Sequence, residues 1–454
     1  MQLISKHLLL IASILTVSVC AFMLFSIAPN SALGATTVQK APTTTKAKVV
    51  TPVKKTTTIK KKVVTPKMAF EYSGWIPYWR TATGTRDVAP HLSQLAQVHP
   101  FGYTVKLDGS LYDASNLEDG TTWTSFIAQA HAQKTLIVPS VMWSSGATID
   151  SILGDPIARM KHEDAIVDMV SRNSFDGVDI DYEGKIVSTR DSYSLFLKEL
   201  KGKLGTKMLS CTIEARTPPT SLYKNIPADL EYVNDYKEIN KYCDRVKLMT
   251  YDQESADIVL NKAGDRLYSP VSDPLWVQKV VTLTLKDIDK SKLVIGVPTY
   301  GYIYKVTPWD DGTGYHYDLE EAFNPRYATE LATQLDIKPV RNRAGELSFT
   351  YVPDELSASS TPITSSTGTT TIQMNQDQLA SYAPKNTPSG LRAALGATKL
   401  AQTTGAQQSF YMLWWSDSKA IADKIALAKK MGVRGVAIFK LDGGEDPTMW
   451  SVLK

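Results

Sequence analysis

The sequence predicts an α/β fold in which eight parallel strands close into a barrel ringed by helices, the (β/α)8 or TIM barrel. Three observations predict it. From residue 70 onward, short apolar runs alternate with stretches of helical period, the pattern of parallel strands joined by crossover helices. The strand-like runs number eight. Polar and aromatic residues collect where those runs end, and barrels of this kind build their sites at the C-terminal ends of the strands.

In chain order the strands are Gly74–Tyr78, Phe101–Val105, Leu136–Met142, Gly177–Asp181, Met208–Glu214, Val246–Tyr251, Leu293–Pro298 and Gly435–Leu441. Helical patterns such as Asp164–Ser171 and Tyr193–Leu204 fall between them. The strand ends carry Tyr78 and Trp79, Trp143, Asp181 to Glu183, Glu214, Tyr251 and Asp252, Tyr300, and Asp442. Between the seventh and eighth strands lies an excess of roughly 105 residues, 305–410, where a bare loop needs only a few. Within it Phe349–Val352 and Phe410–Trp415 read as strands and Gly390–Ala401 as a helix, so a small α+β insertion is expected. Ser357–Thr371 is rich in Ser and Thr and reads as a mobile loop.

The fourth strand is the most informative. Asp176-Gly-Val-Asp179-Ile-Asp181-Tyr-Glu183 puts four acids into a segment otherwise built as a buried strand. Side chains alternate faces along a strand, so Asp179, Asp181 and Glu183 point the same way. Three carboxylates that close cannot all ionise freely, and at least one pKa must rise. Such a cluster serves as a proton donor or a cation site. Binding a metal or capping backbone amides is the bland alternative, and for Asp176 alone it is the favoured one.

Asp-x-x-Asp-x-Asp-x-Glu on a barrel strand resembles the signature of glycoside hydrolase family 18, the chitinase-like hydrolases, and all four acids stand at the family spacing. Leu248-Met-Thr-Tyr-Asp252 and Gly296-Val-Pro-Thr-Tyr-Gly301 are similar to the family's sixth and seventh strand ends. The resemblance implies a substrate-assisted, retaining mechanism, an exception to the two-carboxylate scheme. On it, Glu183 is the general acid and then base, and the nucleophile is the carbonyl oxygen of the substrate's own N-acetyl group. Asp181 would orient that group, Asp179 would sit behind Asp181 and share a proton with it, and Asp176 would be a structural acid. Tyr251 would donate to the acetamido carbonyl, and Asp252 would contact the neighbouring sugar. Tyr78, Tyr103, Trp143, Tyr300, Phe439 and Met249 are the expected cleft residues. Family members also use the insertion as one wall of the cleft; a separate binding module is the alternative.

Two departures matter. Pro139-Ser-Val-Met-Trp143-Ser-Ser-Gly146 replaces the Ser-x-Gly-Gly of many chitinases, and Phe439 stands where many have a Trp as the sugar floor. With Asp235-Tyr236, Trp414-Trp415-Ser-Asp417 and Gly443-Gly-Glu-Asp-Pro447, they resemble the bacterial spore-germination and cortex-lytic branch of the family, which acts on N-acetylglucosamine linkages of peptidoglycan. The expected substrate is therefore a β-1,4-linked N-acetylglucosamine polymer, peptidoglycan first and chitin or chitooligosaccharide second. A non-catalytic glycan-binding protein on the same fold is the other class considered; family lectins lack the acid Glu, and Glu183 is present.

Charge and leader complete the organisation. The formal net charge is +4, but residues 1–67 hold ten Lys and no acid, which leaves −6 on residues 68–454. The basic balance belongs to the N-terminal arm, so nucleic-acid binding is not expected. Residues 8–28 are an apolar run after Lys6 and His7, read as a cleaved signal peptide or an uncleaved membrane anchor within 1–35. Residues 36–67 are Thr, Lys, Val and Pro without an aromatic, an extended linker. Both readings place the catalytic part, residues 68–454, outside the cytoplasm at the cell wall, as a monomer. Cys211 and Cys243 could pair or remain buried thiols. The six His show no metal-ligand spacing and HExxH is absent, so neither metal nor cofactor is expected.

Overall fold

Eight strands form the barrel, and each coincides with a predicted run: β1 (Glu71–Pro77), β2 (Gln97–Val105), β3 (Ser140–Trp143), β4 (Gly177–Tyr182), β5 (Met208–Glu214), β6 (Arg245–Met249), β7 (Leu293–Pro298) and β8 (Gly435–Phe439). The computed structural model describes residues 69–263, 267–356, 363–364 and 370–454; the predicted leader and linker, and most of the Ser/Thr-rich stretch 357–371, lie outside the described residues. Parallel pairing runs β1 to β8 in order and returns, because β8 and β2 both pair with β1. The sheet is thereby closed and has no edge in the ring.

Local chemistry sets the boundaries. The third predicted strand is broken into Leu136–Ile137 and β3, because Pro139 has no N–H to give the ladder. The helix expected at Asp164–Ser171 starts earlier, at Pro156, where Asp155 accepts from the amides of Ile157 and Ala158 at 2.9 and 2.8 Å. Helix Thr189–Leu204 stops at Gly205, whose φ of +58° suits a residue without Cβ. The outward face of β4 (Val178, Ile180, Tyr182) is fully buried against a helical layer that includes Tyr193, Phe196 and Leu197. A second apolar group, Trp75, Phe101, Val294 and Ala437 with Met142 and Phe439 beside it, fills the barrel's interior.

The open cysteine question has an answer: Cys211 on β5 and Cys243, just before β6, form a disulfide with their Cα atoms 6.0 Å apart.

The insertion is wider than its predicted bounds. A five-stranded sheet takes Gly301–Pro308, Tyr315–Phe323, Val340–Arg341, Leu347–Tyr351 and Phe410–Trp415, backed by helices Pro325–Gln334 and Arg392–Thr404. Glu346 pins it to the barrel. Its fully buried carboxylate accepts from the amides of Val271 and Ser272 at 3.0 and 3.1 Å and from the Trp414 indole at 2.7 Å. The equally buried Lys424 lies 3.4 Å away. Removing one partner of a buried ion pair leaves the other uncompensated, at about 3–5 kcal/mol. Glu346→Ala should lose about that much in urea unfolding; a loss under about 1 kcal/mol would show that the node does not hold the insertion.

Candidate active site

The site is the inward face of β4 and the mouth above it. Register places Asp179 level with Ser140 on β3 and Ser210 on β5, and Asp181 level with Met142 and Thr212. Asp179 is deepest, with no exposure. It accepts from the Trp75 indole (3.1 Å), Ser140 Oγ (2.9 Å), Thr212 Oγ1 (3.0 Å) and Lys247 Nζ (3.0 Å). Burial pushes its carboxyl up, but the Lys247 charge, then His99 and hydrogen bonds from Ser210 and Lys247, outweigh burial and hold it well below the usual carboxylate range.

Asp181, one step higher, is 4% exposed, and its Oδ1 has no hydrogen-bond partner among the described residues. Burial raises its carboxyl well above the usual value, reinforced by the charges of Glu183, Asp179 and Glu214 and opposed by Lys185. Glu183 leaves the end of the strand with its amide on Trp143 O at 2.8 Å and its side chain partly exposed. Burial and then Glu214 push its carboxyl up to about 7, with Lys185 opposing and Asp252 adding. A carboxyl that still carries its proton in part near neutral pH can give it to a leaving group.

Around these acids stand tyrosines and one phenylalanine. Tyr251 stacks on Phe439 with ring centroids 5.5 Å apart and planes 19° apart. Gly296 makes room, since a Cβ there would meet the Tyr251 ring at 2.7 Å. Burial, then Asp181, Asp252 and Glu183, keep the Tyr251 phenol protonated and so a donor. Asp252 has φ of +55°, a strained conformation for a residue with a Cβ. It accepts from Tyr300 and Tyr302 hydroxyls at 2.5 and 2.6 Å. Phe439 also meets Trp75, Phe101 and Tyr300 at 5.9, 6.1 and 6.0 Å, and Tyr78 packs beside the same group. Met249 lies on the Lys247 face of β6, half-buried at the strand's end. Tyr302, from the insertion's first strand, brings that sheet to the mouth.

Three expectations are corrected. Tyr103 does not face the cleft. The β2–β3 register shifts between Phe101 and Tyr103, and the extra residue, Gly102, turns Tyr103 to the outer side, where its hydroxyl meets Glu118 at 3.3 Å. Trp143 also points outward, against His162 and Tyr182 with centroids 5.3 and 5.4 Å away. It is an odd number of residues from inward-facing Ser140, so Met142 takes the inward place. No hydrogen bond joins Asp179 to Asp181 among the described residues, as a shared proton would require: Asp179 accepts from Trp75, Ser140, Thr212 and Lys247 instead. Asp176 lies at the opposite end of β4, accepting from Ile137 N at 2.8 Å and His131 Nε2 at 3.0 Å, a position that ties strand to helix.

Sequence reasoning missed Ser140 and Lys247 under Asp179, Tyr302 over Asp252, and the pairing of Lys185 with Glu214 at 3.5 Å beside Glu183. Lys247 carried a signal: a lysine inside the apolar run Val246–Met249 must find a buried counter-charge. Among the described residues no three His, Cys, Asp or Glu are grouped to hold a metal ion.

Known proteins share this fold. The sequence model of the family described as Glycosyl hydrolases family 18 matches residues 74–444. The glycosylase YvbX of Bacillus subtilis (strain 168) is 20% identical over 310 residues, 68% of this chain and 69% of that protein. The spore cortex-lytic enzyme SleL of Bacillus megaterium QM B1551 superposes with a TM-score of 0.59 at 19% identity, over 86% of this chain and 74% of that one. A chitinase from Chromobacterium violaceum ATCC 12472 gives 0.59 at 16% identity, over 85% and 98%. The chain belongs to glycoside hydrolase family 18 and is a glycosidase.

Proposed function

We propose that this chain is an exported, retaining hydrolase of β-1,4-linked N-acetylglucosamine polymers that works by substrate assistance. The observation that carries the reading is vertical: Glu183 at the mouth with its carboxyl pushed up to about 7, Asp181 with an unpartnered oxygen beneath it, and the Tyr251 phenol over the Phe439 ring. Glu183 protonates the glycosidic oxygen. The N-acetyl carbonyl oxygen closes on the anomeric carbon as the leaving sugar departs, giving an oxazolinium-type intermediate. Tyr251 donates to that carbonyl, and Asp181 accepts from the acetamido N–H and balances the developing positive charge. Water then attacks with Glu183 as base, restoring the configuration.

Peptidoglycan is the preferred polymer. The cortex-lytic name of a structural neighbour and the small Phe439 floor support it; the chitinase neighbours support chitin as second. The Cys211–Cys243 bond supports an extracytoplasmic location, where disulfides persist. The test is product analysis by mass spectrometry on purified peptidoglycan and, in parallel, on chitin oligomers. Muropeptides cut on the reducing side of N-acetylglucosamine are expected, and absent with Glu183→Gln. Chitobiose-type products alone would make chitin the substrate. Binding without products from either would replace the enzyme reading by the lectin one.

Phe439→Trp is expected to tighten chitooligosaccharide binding about 5- to 10-fold, as a larger ring adds about 1 kcal/mol of stacking. Calorimetric titration checks it; unchanged affinity would remove Phe439 as the sugar floor.

A further inference from the structure

We infer that Lys247, 68 residues beyond Asp179 in the chain, is a positioning residue: it fixes Asp179 as a permanent anion and leaves the mobile proton of the site to Asp181 and Glu183 alone. The inference rests on the proposed role of Glu183 and deepens it.

Lys247 is 1% exposed, at the centre of the barrel, with Nζ 3.0 Å from Asp179 Oδ1, a hydrogen bond to Ser210 Oγ, and the Trp75 ring 5.8 Å away. The other groups facing Asp179 are neutral donors: Trp75 from β1, Ser140 from β3 and Thr212 from β5. His99 from β2 is neutral too, since burial and then Lys247 lower its imidazole to about 3. Lys247 is therefore the one basic side chain paired with Asp179 among the described residues; burial lowers its ammonium, and the Asp179 charge and hydrogen bond oppose that. Without it, two buried carboxyls one strand step apart would have to divide one proton.

The unpartnered Oδ1 of Asp181 fits the same account. A protonated Asp179 would offer a donor from below. An anionic Asp179, held on Lys247, offers none. Asp181 must then find its partners above, where Glu183, Glu214, Lys185, Asp252 and Tyr251 are the charged and titratable groups around it. Asp179 becomes a fixed charge rather than a proton store. A barrel centre could be filled by apolar side chains at no loss of stability, because burying an ion pair is expensive. This pair keeps its position directly beneath the reacting carboxyls.

The experiment has two parts. In the wild-type full chain, carboxyl-carbon NMR titration from pH 4 to 9 should show Asp179 ionised throughout, while Asp181 and Glu183 titrate together. An Asp179 signal that titrates in that range overturns the inference and needs no variant to fold. In the second part, pH profiles of kcat/KM compare Lys247→Met with the charge-balanced Asp179→Asn/Lys247→Met. The single variant leaves an extra negative charge or an extra proton in the cluster, so its alkaline limb should rise by about one unit. The double variant should return the limb to the wild-type position. A single variant that folds and loses activity with an unmoved limb has a structural role only, which also overturns the inference. Glu183→Gln on the same substrate separates the two hypotheses: if it stays active, the acid assignment fails whatever Lys247 does.

Discussion

Glu183→Gln should retain glycan binding and lose about 10³-fold or more of kcat, the scale on which a positioned general acid acts. The amide is isosteric and keeps the hydrogen-bonding reach, so affinity is the control. What it cannot do is release a proton to the glycosidic oxygen. The same carboxyl sets the pH dependence. Burial, then Glu214, raise Glu183 to about 7, against Lys185. A general acid works only while protonated, so wild-type kcat/KM should hold below about pH 7 and fall as pH rises through it. The residual rate of the variant should lack that limb. Stability runs the opposite way. A carboxyl whose folded pKa is raised binds its proton more tightly in the native state than in the unfolded one. Native stability from this group is therefore present at low pH and lost as pH rises from about 4.5 to about 7. Glu183→Gln should melt at a higher temperature than wild type at pH 8 and differ little at pH 4. Turnover that survives the substitution would remove Glu183 as the acid.

Asp181→Asn should cost about 10²- to 10³-fold in kcat, the range for removing one preorganised electrostatic group. Asp181 is buried and its Oδ1 is unpartnered among the described residues. An asparagine fills the space but cannot supply the negative charge that an oxazolinium-type ion needs beside it. The loss should depend on the substrate. With an activated glycoside that carries a hydroxyl in place of the N-acetyl group, wild type and variant should be equally slow, since there is no internal nucleophile to orient. A full rate in Asp181→Asn on the N-acetyl substrate would end the substrate-assistance reading. An equal loss on both substrates would assign Asp181 to folding or to Glu183.

Both predictions concern residues that could be read along one strand. Asp179, Asp181 and Glu183 were legible because a strand has a period of two and acids in an apolar frame are costly. The eight barrel strands were legible as short apolar runs between stretches of helical period, and Asp176 was set apart at the strand's start. Tyr103 and Trp143 show the limit. Both end strands and both are aromatic, as cleft residues would be. One is turned outward by the extra residue at Gly102, and the other by its odd distance from Ser140. Neither could be told from composition, because register and bulges decide which face is inside.

The partners across strands were hidden more deeply. Trp75 and Asp179 are separated by 104 residues, and Tyr302 and Asp252 by 50. Lys247 announced that it needed a counter-charge but not which of the acids would supply it. By itself, the sequence determined the barrel, the acid-bearing strand and the position of Glu183 at its end, because these depend on local period and on the cost of burying charge. The tertiary structure alone decided which carboxyl meets a buried lysine, which is left with an unpartnered oxygen, and which aromatics meet the cleft. Those properties arise where strands distant in the chain converge on the barrel axis, and closure and register set the distances on which every charge interaction depends.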